Sequence, residues 1–195
     1  PPWSNGFSVN FDGSNDFANF GQPADIVGIN YSNTARSFSM WVRNNAVTAD
    51  CTFFAVAEQS NRPVWIATVN GLPTVYIGSN QTQSATVLTN GTWYHVCVTV
   101  SAAGAITLYV DAAVTGSGST AGSDVTALDL LIGARRNSGN TGTAFLGPCN
   151  VDEVTVWGVA LSGAEVTSLR NSGAPADPNT HTQAANLLHY WPMGD

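Results

Sequence analysis

The chain has 195 residues, a formal charge of −7, six arginines, no lysine and only 10% charged residues. That balance excludes nucleic acid and an anionic membrane surface as partners, because both require clustered cations. With 44% hydrophobic residues and six tryptophans the chain is not of the disordered class, and no run approaches the ~20 apolar residues of a membrane-spanning helix.

Pro1-Pro2-Trp3-Ser4 carries neither the basic nor the apolar region of a signal peptide. Residues 7–11 alternate, with Phe7, Val9 and Phe11 on one face, and Asp12-Gly13-Ser14-Asn15 turns the chain into a second short strand, 16–20. Residues 37–43 alternate again, setting Phe38, Met40 and Val42 against Ser39, Trp41 and Arg43. Strands follow at 52–57 and 63–69. Asn70-Gly71 then gives the strongest two-residue hairpin signal and leads into 73–78. Residues 92–101 and 105–112 form the next pair, 115–124 reads as a Gly/Ser/Thr loop tip, and further strands fall at 128–133, 143–146 and 150–157. About a dozen strands at intervals of roughly ten residues have the rhythm of an antiparallel sandwich.

One segment breaks the rhythm. Ser162 and Glu165 form a capping box, Leu161 and Val166 suit the accompanying hydrophobic staple, and Gly173 is expected to supply the left-handed stop. The result is one short helix near the end of the chain. Residues 174–186 read as loop, and 187–191 as a strand-like run within a C-terminal tail, 174–195. With an N-terminal tail at 1–6, this leaves a single domain at 7–173. The three cysteines, Cys51, Cys97 and Cys149, form no CxxC pair, and an odd number favours buried small hydrophobes over a bridge to Cys149.

Taken in order, several runs resemble the laminin-G-like domains of the concanavalin A-like lectin/glucanase superfamily. They are Phe11-Asp12-Gly13-Ser14-Asn15-Asp16-Phe17, Ser37-Phe38-Ser39-Met40-Trp41-Val42, and the Gly91-Thr92-Trp93-Tyr94-His95-Val96 run. Thr107-Leu108-Tyr109-Val110-Asp111, Leu131-Ile132-Gly133, the Val151–Trp157 strand and Leu161–Val166 complete the series. The resemblance implies an all-β jelly roll of two antiparallel sheets. Two departures stand out: Ala112-Ala113 occupies the turn where the family usually has Gly, and the chain after 173 lies outside the pattern. Relatives of this kind occur in phage structural proteins and modular surface proteins. The resemblance also implies a place where a metal can be held, between the opening turn and the closing strand. Calcium is therefore expected as a structural ion on Asp12, Asp16 and Asp152, set against an Asx turn and backbone bonding by the same side chains.

No catalytic constellation emerges. The superfamily's β-glucan hydrolases need two carboxylates on one strand face, but Val151 and Thr155 flank Glu153 where partners would stand. His95 reads as a half-buried strand histidine bonding a neighbour, and His181 and His189 as surface residues. Sugar recognition calls for aromatic rings with Asn and Arg around them, which makes Asn61, Arg62, Trp65, Tyr76, Arg135, Arg136 and Asn137 the candidates. Against this, Trp65 and Tyr76 alternate as core residues would, and Arg135-Arg136 can be a solvated turn. Sequons stand at Asn30, Asn80 and Asn90. The expected role is a non-catalytic structural module on an extracellular or virion surface, in a fibre or as a decoration protein. It would self-assemble, or attach to a protein scaffold, by strand pairing of its tails. The alternative is a carbohydrate-binding adhesion domain, with a glycoside hydrolase third.

Overall fold

The computed structural model describes residues 8–31, 33–46, 50–58, 62–120, 127–138, 143–144 and 147–194. The expected N-terminal tail and Asn61 lie outside them. Two antiparallel sheets form the molecule. The first runs in the order β1 (Val9–Phe11), β14 (Cys149–Trp157), β3 (Arg36–Asn44), β8 (Trp93–Val100), β9 (Ala105–Val110), β10 (Ala113–Ser119), and β15 (Leu187–Trp191) also pairs with β14. The second has the order β2 (Ala18–Asn19), β11 (Leu130–Ile132), β4 (Thr52–Val56), β5 (Val64–Val69), β6 (Leu72–Ile77), β7 (Asn80–Gln83). A separate hairpin joins β12 (Arg135–Arg136) and β13 (Thr143–Ala144). The jelly roll implied by the resemblance is the fold observed.

Alternation builds the core. Phe38, Met40 and Val42 of β3 meet Phe54 and Val56 of β4, Val64 and Ile66 of β5, and Val75 and Ile77 of β6 between the sheets, all essentially without solvent exposure. The outer face of the first sheet carries a second cluster. There α1 (Gly163–Arg170) lays Val166 and Leu169 on Cys97, Tyr109 and Trp157. The capping box is present: Glu165 N–H donates to Ser162 Oγ, and Ser162 N–H donates to Glu165 Oε2 at 2.7 Å. Leu161 and Val166 both sit in that cluster, as a staple requires. The Ser162 donors and Gln183 hold the Glu165 carboxyl below its ordinary range. The left-handed stop of the helix comes two residues earlier than expected. Asn171 is its left-handed cap at φ 47°, while Gly173 lies in the 3-10 turn beyond.

Several expectations are corrected. Residues 115–119 of the expected 115–124 loop tip belong to edge strand β10, laid against β7 of the other sheet, and 121–124 lie outside the described residues. Gly116 permits that approach, since a Cβ there would stand 2.6 Å from the Gln83 carbonyl oxygen. The C-terminal run is no free tail. Leu187–Trp191 pairs with β14, His189 Nε2 lies 2.7 Å from Asp25 Oδ1, and Trp191 packs on Phe20 at 5.0 Å. Among the described residues it is an edge strand of the first sheet, paired on one side with β14. Nor are the cysteines simply small hydrophobes. Cys51 and Cys149 form a disulfide with Cα atoms 6.5 Å apart, joining the approach to β4 in one sheet to the start of β14 in the other. Cys97 alone is free, and burial pushes its thiol up. His181 is buried against Trp157, and its Nε2 lies 3.2 Å from the Glu165 carbonyl oxygen, so it is not a surface residue.

The β9–β10 turn shows how the missing glycine is accommodated. Asp111 and Ala112 both take positive φ, 50° and 65°, the conformation of a two-residue type I′ hairpin. An alanine there bears a steric cost that glycine does not. Ala112→Gly is therefore expected to stabilise the protein by about 0.5–1 kcal/mol, seen as a higher urea midpoint at unchanged slope.

Candidate binding site

The register of the second sheet places one residue from every strand in a single row. Asn19 pairs Leu131, Leu131 pairs Ala55, Ala55 pairs Trp65, Trp65 pairs Tyr76, and Tyr76 pairs Gln81. Because Val64, Ile66, Val75 and Ile77 point into the sandwich, this row faces outward. The core reading of Trp65 and Tyr76 is thus corrected: they form a small cluster with Ala55, Ala57 and Ala67 on the far side of the sheet. Small side chains at those three positions leave room for the large ones beside them.

Trp65 and Tyr76 stack with centroids 4.6 Å apart and planes at 14°. The Arg62 guanidinium lies 4.9 Å from the Tyr76 ring centre, and that of Arg135 lies 5.1 Å from the Trp65 ring. The indole N–H donates to Thr52 Oγ1 at 3.1 Å, which fixes the ring. The β12–β13 hairpin reaches this face at β4, where Arg136 N–H donates to the Ala57 carbonyl oxygen. Arg135 is consequently 6% exposed and Trp65 4%, whereas Tyr76 and Arg62 remain half-buried. Arg135-Arg136 is no solvated turn. Burial, then the neighbouring Arg62, bring the Arg135 pKa down, with Glu58 opposing them. Burial raises the Tyr76 phenol despite the two guanidiniums.

Arg136 belongs to the support. Its guanidinium donates to Asp129 Oδ2 at 2.7 Å, and Asn19 and Gln22 donate to the same carboxylate, whose pKa is lowered chiefly by Arg136. Asn137 Nδ2 donates to the Thr143 carbonyl oxygen, closing the hairpin. Among the described candidates, Arg62, Trp65, Tyr76 and Arg135 thus come together, while Arg136 and Asn137 hold the hairpin that covers them. Sequence reasoning missed Thr74, Gln81 and Gln83, which extend the outward face beyond Tyr76. Gln83 Nε2 donates to Thr74 Oγ1 at 3.0 Å. Only the pairing register reveals these three.

The trio Asp12, Asp16 and Asp152 does not make one metal site. Phe11 pairs Cys149, so Asp152 stands about 13 Å along β14 from the position opposite Asp12. Asp12 Oδ1 accepts from Ser14 N–H at 2.7 Å, an Asx turn, and Asp16 Oδ2 accepts from Asp12 N–H. Asp152 Oδ1 accepts from Glu153 N–H at a bulge where Glu153 takes φ 52°. Among the described residues no three His, Cys, Asp or Glu side chains gather as metal ligands. Of the sequons, Asn90 is exposed in a turn, Asn30 is half-buried, and the Asn80 amide donates to the Ser119 carbonyl oxygen.

One arrangement mimics a catalytic pair. Ser39 Oγ lies 2.7 Å from His95 Nε2 on the outer face of the first sheet, beside Glu153. Ser39 is 3% and His95 1% exposed beneath α1 and the C-terminal segment. Their cavity, about 10 Å³, admits at most one water. The Glu153 carboxylate accepts from the Tyr190 hydroxyl at 2.7 Å.

These features define a lectin-like β-sandwich. Residues 12–167 match the laminin-G family of the Concanavalin A-like lectin/glucanases superfamily, and the chain belongs to that family. No curated protein sequence matches the chain. Solved structures share the fold at low identity. A "putative carbohydrate binding protein" from Bacteroides ovatus superimposes with a TM-score of 0.69 at 18% identity over 95% of this chain and 50% of its own. The heptameric pentraxin of Limulus polyphemus gives 0.60 at 12% identity, over 100% of this chain and 89% of its own. The receptor binding domain of botulinum neurotoxin D gives 0.64 at 12% identity, over 87% of this chain and 45% of its own. The chain therefore spans about half the length of the Bacteroides protein.

Proposed function

We propose that the chain is a non-catalytic glycan-binding module working on an extracellular or virion surface. The observation that carries this is the Trp65–Tyr76 stack on the outward face of the second sheet, flanked by Arg62 and Arg135 and continued by Gln81 and Gln83. Aromatic side chains with a few fixed polar groups on an outward face are the kind of lining that orients a small ligand. Relatives of the same fold named for carbohydrate or receptor binding support the reading. So does the disulfide, which belongs to an oxidising compartment. The enclosure of Ser39, His95 and Glu153 speaks for binding rather than turnover.

A broad array of immobilised neutral and acidic glycans tests the proposal. Wild type is expected to bind a limited set, and Tyr76→Ala to lose at least tenfold while keeping its melting temperature within a few degrees. Identical array profiles for the two proteins, or no binding by wild type, would refute it.

A further inference from the structure

A groove separate from the stack lies on the opposite outer face of the sandwich, where α1 packs on the first sheet. It opens between the β9–β10 turn and the end of the helix, and holds about 480 Å³. Asp111, Ala112, Ala164, Ser168, Arg170 and Ser172 line it. That volume falls within the ~300–1,000 Å³ usual for small-molecule sites. The backbone around it is held in an uncommon shape. Asp111 and Ala112 on one side, and Asn171 and Ser172 on the other, all take positive φ, 50°, 65°, 47° and 59°. They are four of the seven non-glycine residues that do so among the described residues, so this conformation gathers at the groove. Backbone held in such costly conformations concentrates at ligand clamps.

The polar groups of the groove set donor beside acceptor. Arg170 Nε lies 3.5 Å from Asp111 Oδ1, with 33% and 34% of the two side chains exposed. Asp111 Oδ1 also accepts from the His95 N–H at 3.1 Å, which anchors the carboxylate. Among the described residues the Arg170 guanidinium has no ion-pair or hydrogen-bond partner but Asp111, which leaves it N–H groups for a ligand. Ser168 and Ser172 add hydroxyls, and Ala112 and Ala164 add methyl groups. A charged ligand gains little here. Arg170 opposes a cation, while Asp111 and the negative end of the α1 dipole oppose an anion. An uncharged hydroxyl suits both at once, because it accepts from the guanidinium and donates to the carboxylate. The methyl groups beside them match the C–H face of a sugar ring.

We infer that this groove is a second ligand site, which takes an uncharged sugar ring across Asp111 and Arg170 with Ala112 against its apolar face. It does not rest on the Trp65–Tyr76 stack, which faces the other way. The methyl group that costs stability in the β9–β10 turn is the one on which the ring lies.

The test is amide NMR of the full chain, titrated with the methyl glycosides of glucose, galactose and mannose, and with glucuronate and glucosamine as charged probes. At least one neutral glycoside is expected to shift the amides of Asp111, Ala112, Arg170, Asn171 and Ser172 saturably. It is expected to bind severalfold tighter than either charged probe. Ser168→Leu, which fills the groove from an exposed helix position, and Arg170→Gln are each expected to lose at least tenfold. Ala112→Gly, a variant expected to be more stable than wild type, should lose severalfold, the worth of one buried methyl group. Tyr76→Ala should lose nothing. The inference is overturned by the absence of a saturable shift at these amides with every neutral glycoside, or by equal or tighter binding of a charged probe. Full affinity in both Ser168→Leu and Ala112→Gly overturns it too. None of these results touches the stack, which the glycan array decides, and array signals lost in Tyr76→Ala belong to the stack and not to the groove. Probe preference and the shifted amides are read on wild type, so the outcome does not hang on a variant's folding.

Discussion

Replacing Cys51 and Cys149 together by alanine is expected to cost the protein about 3 kcal/mol, or roughly 10 °C in melting temperature. The bridge closes a loop with a sequence separation of 98, long enough that opening it releases much conformational freedom to the unfolded chain. It also joins the two sheets, at the residue preceding Thr52, which accepts the Trp65 indole hydrogen bond. Loss of the bridge should therefore loosen the binding face as well as the core. Alkylation of the denatured, unreduced protein should modify one thiol, that of Cys97, and three after reduction. Three modified thiols before reduction, or an unchanged melting temperature in the double variant, would count against the bridge.

Acid is expected to destabilise the protein well above the range in which carboxylates titrate. Burial lowers His95 from its ordinary 6.5 to about 4, with Asp111 opposing and Arg170 assisting that shift. The folded state thus holds the imidazole neutral while the unfolded chain takes up a proton near 6.5. The stability from this group is complete above pH 6.5 and is lost as pH falls towards 4. At about 1.4 kcal/mol per pKa unit, the loss amounts to about 3 kcal/mol. The lowered carboxylates Asp129 and Glu165 add losses below that window. Denaturation midpoints measured from pH 7.5 to 4 should fall for wild type. They should stay nearly level for His95→Gln, whose amide can keep a bond to Ser39. Parallel curves for the two proteins would mean that His95 is not the source.

Much of the fold is written locally. Alternation in 37–43, the Asn70-Gly71 turn with its φ of 53° and 77°, and the Ser162/Glu165 box all rest on neighbours a few residues apart. Their physics is legible one segment at a time. Asp12 and its Asx turn belong to the same class. Local reasoning fails where contacts are distant. Residues 115–119 look like a loop because Gly, Ser and Thr suit turns, yet β7 lies against them and needs their small size. Cys51 and Cys149 meet only because β4 and β14 bring their ends to the same side of the sandwich. Leu187–Trp191 finds β14 some 30 or more residues back in the chain.

The binding face shows the division most clearly. Composition and alternation single out Trp65, Tyr76 and the arginines, but period-two alternation labels two faces without saying which is inside. The neighbours decide that: Val64, Ile66, Val75 and Ile77 are the better fillers of the space between the sheets, so the indole and phenol turn outward. Pairing register then brings Ala55, Trp65, Tyr76 and Gln81 into one row, and the β12–β13 hairpin brings Arg135 over the indole. The sequence by itself determined an anionic, lysine-free all-β sandwich with one capped helix, because strand periods, turns and caps are short-range. Only the tertiary structure decided the disulfide, the seated C-terminal strand and the arginine-flanked stack, because each depends on residues that lie far apart in the chain until the sheets close.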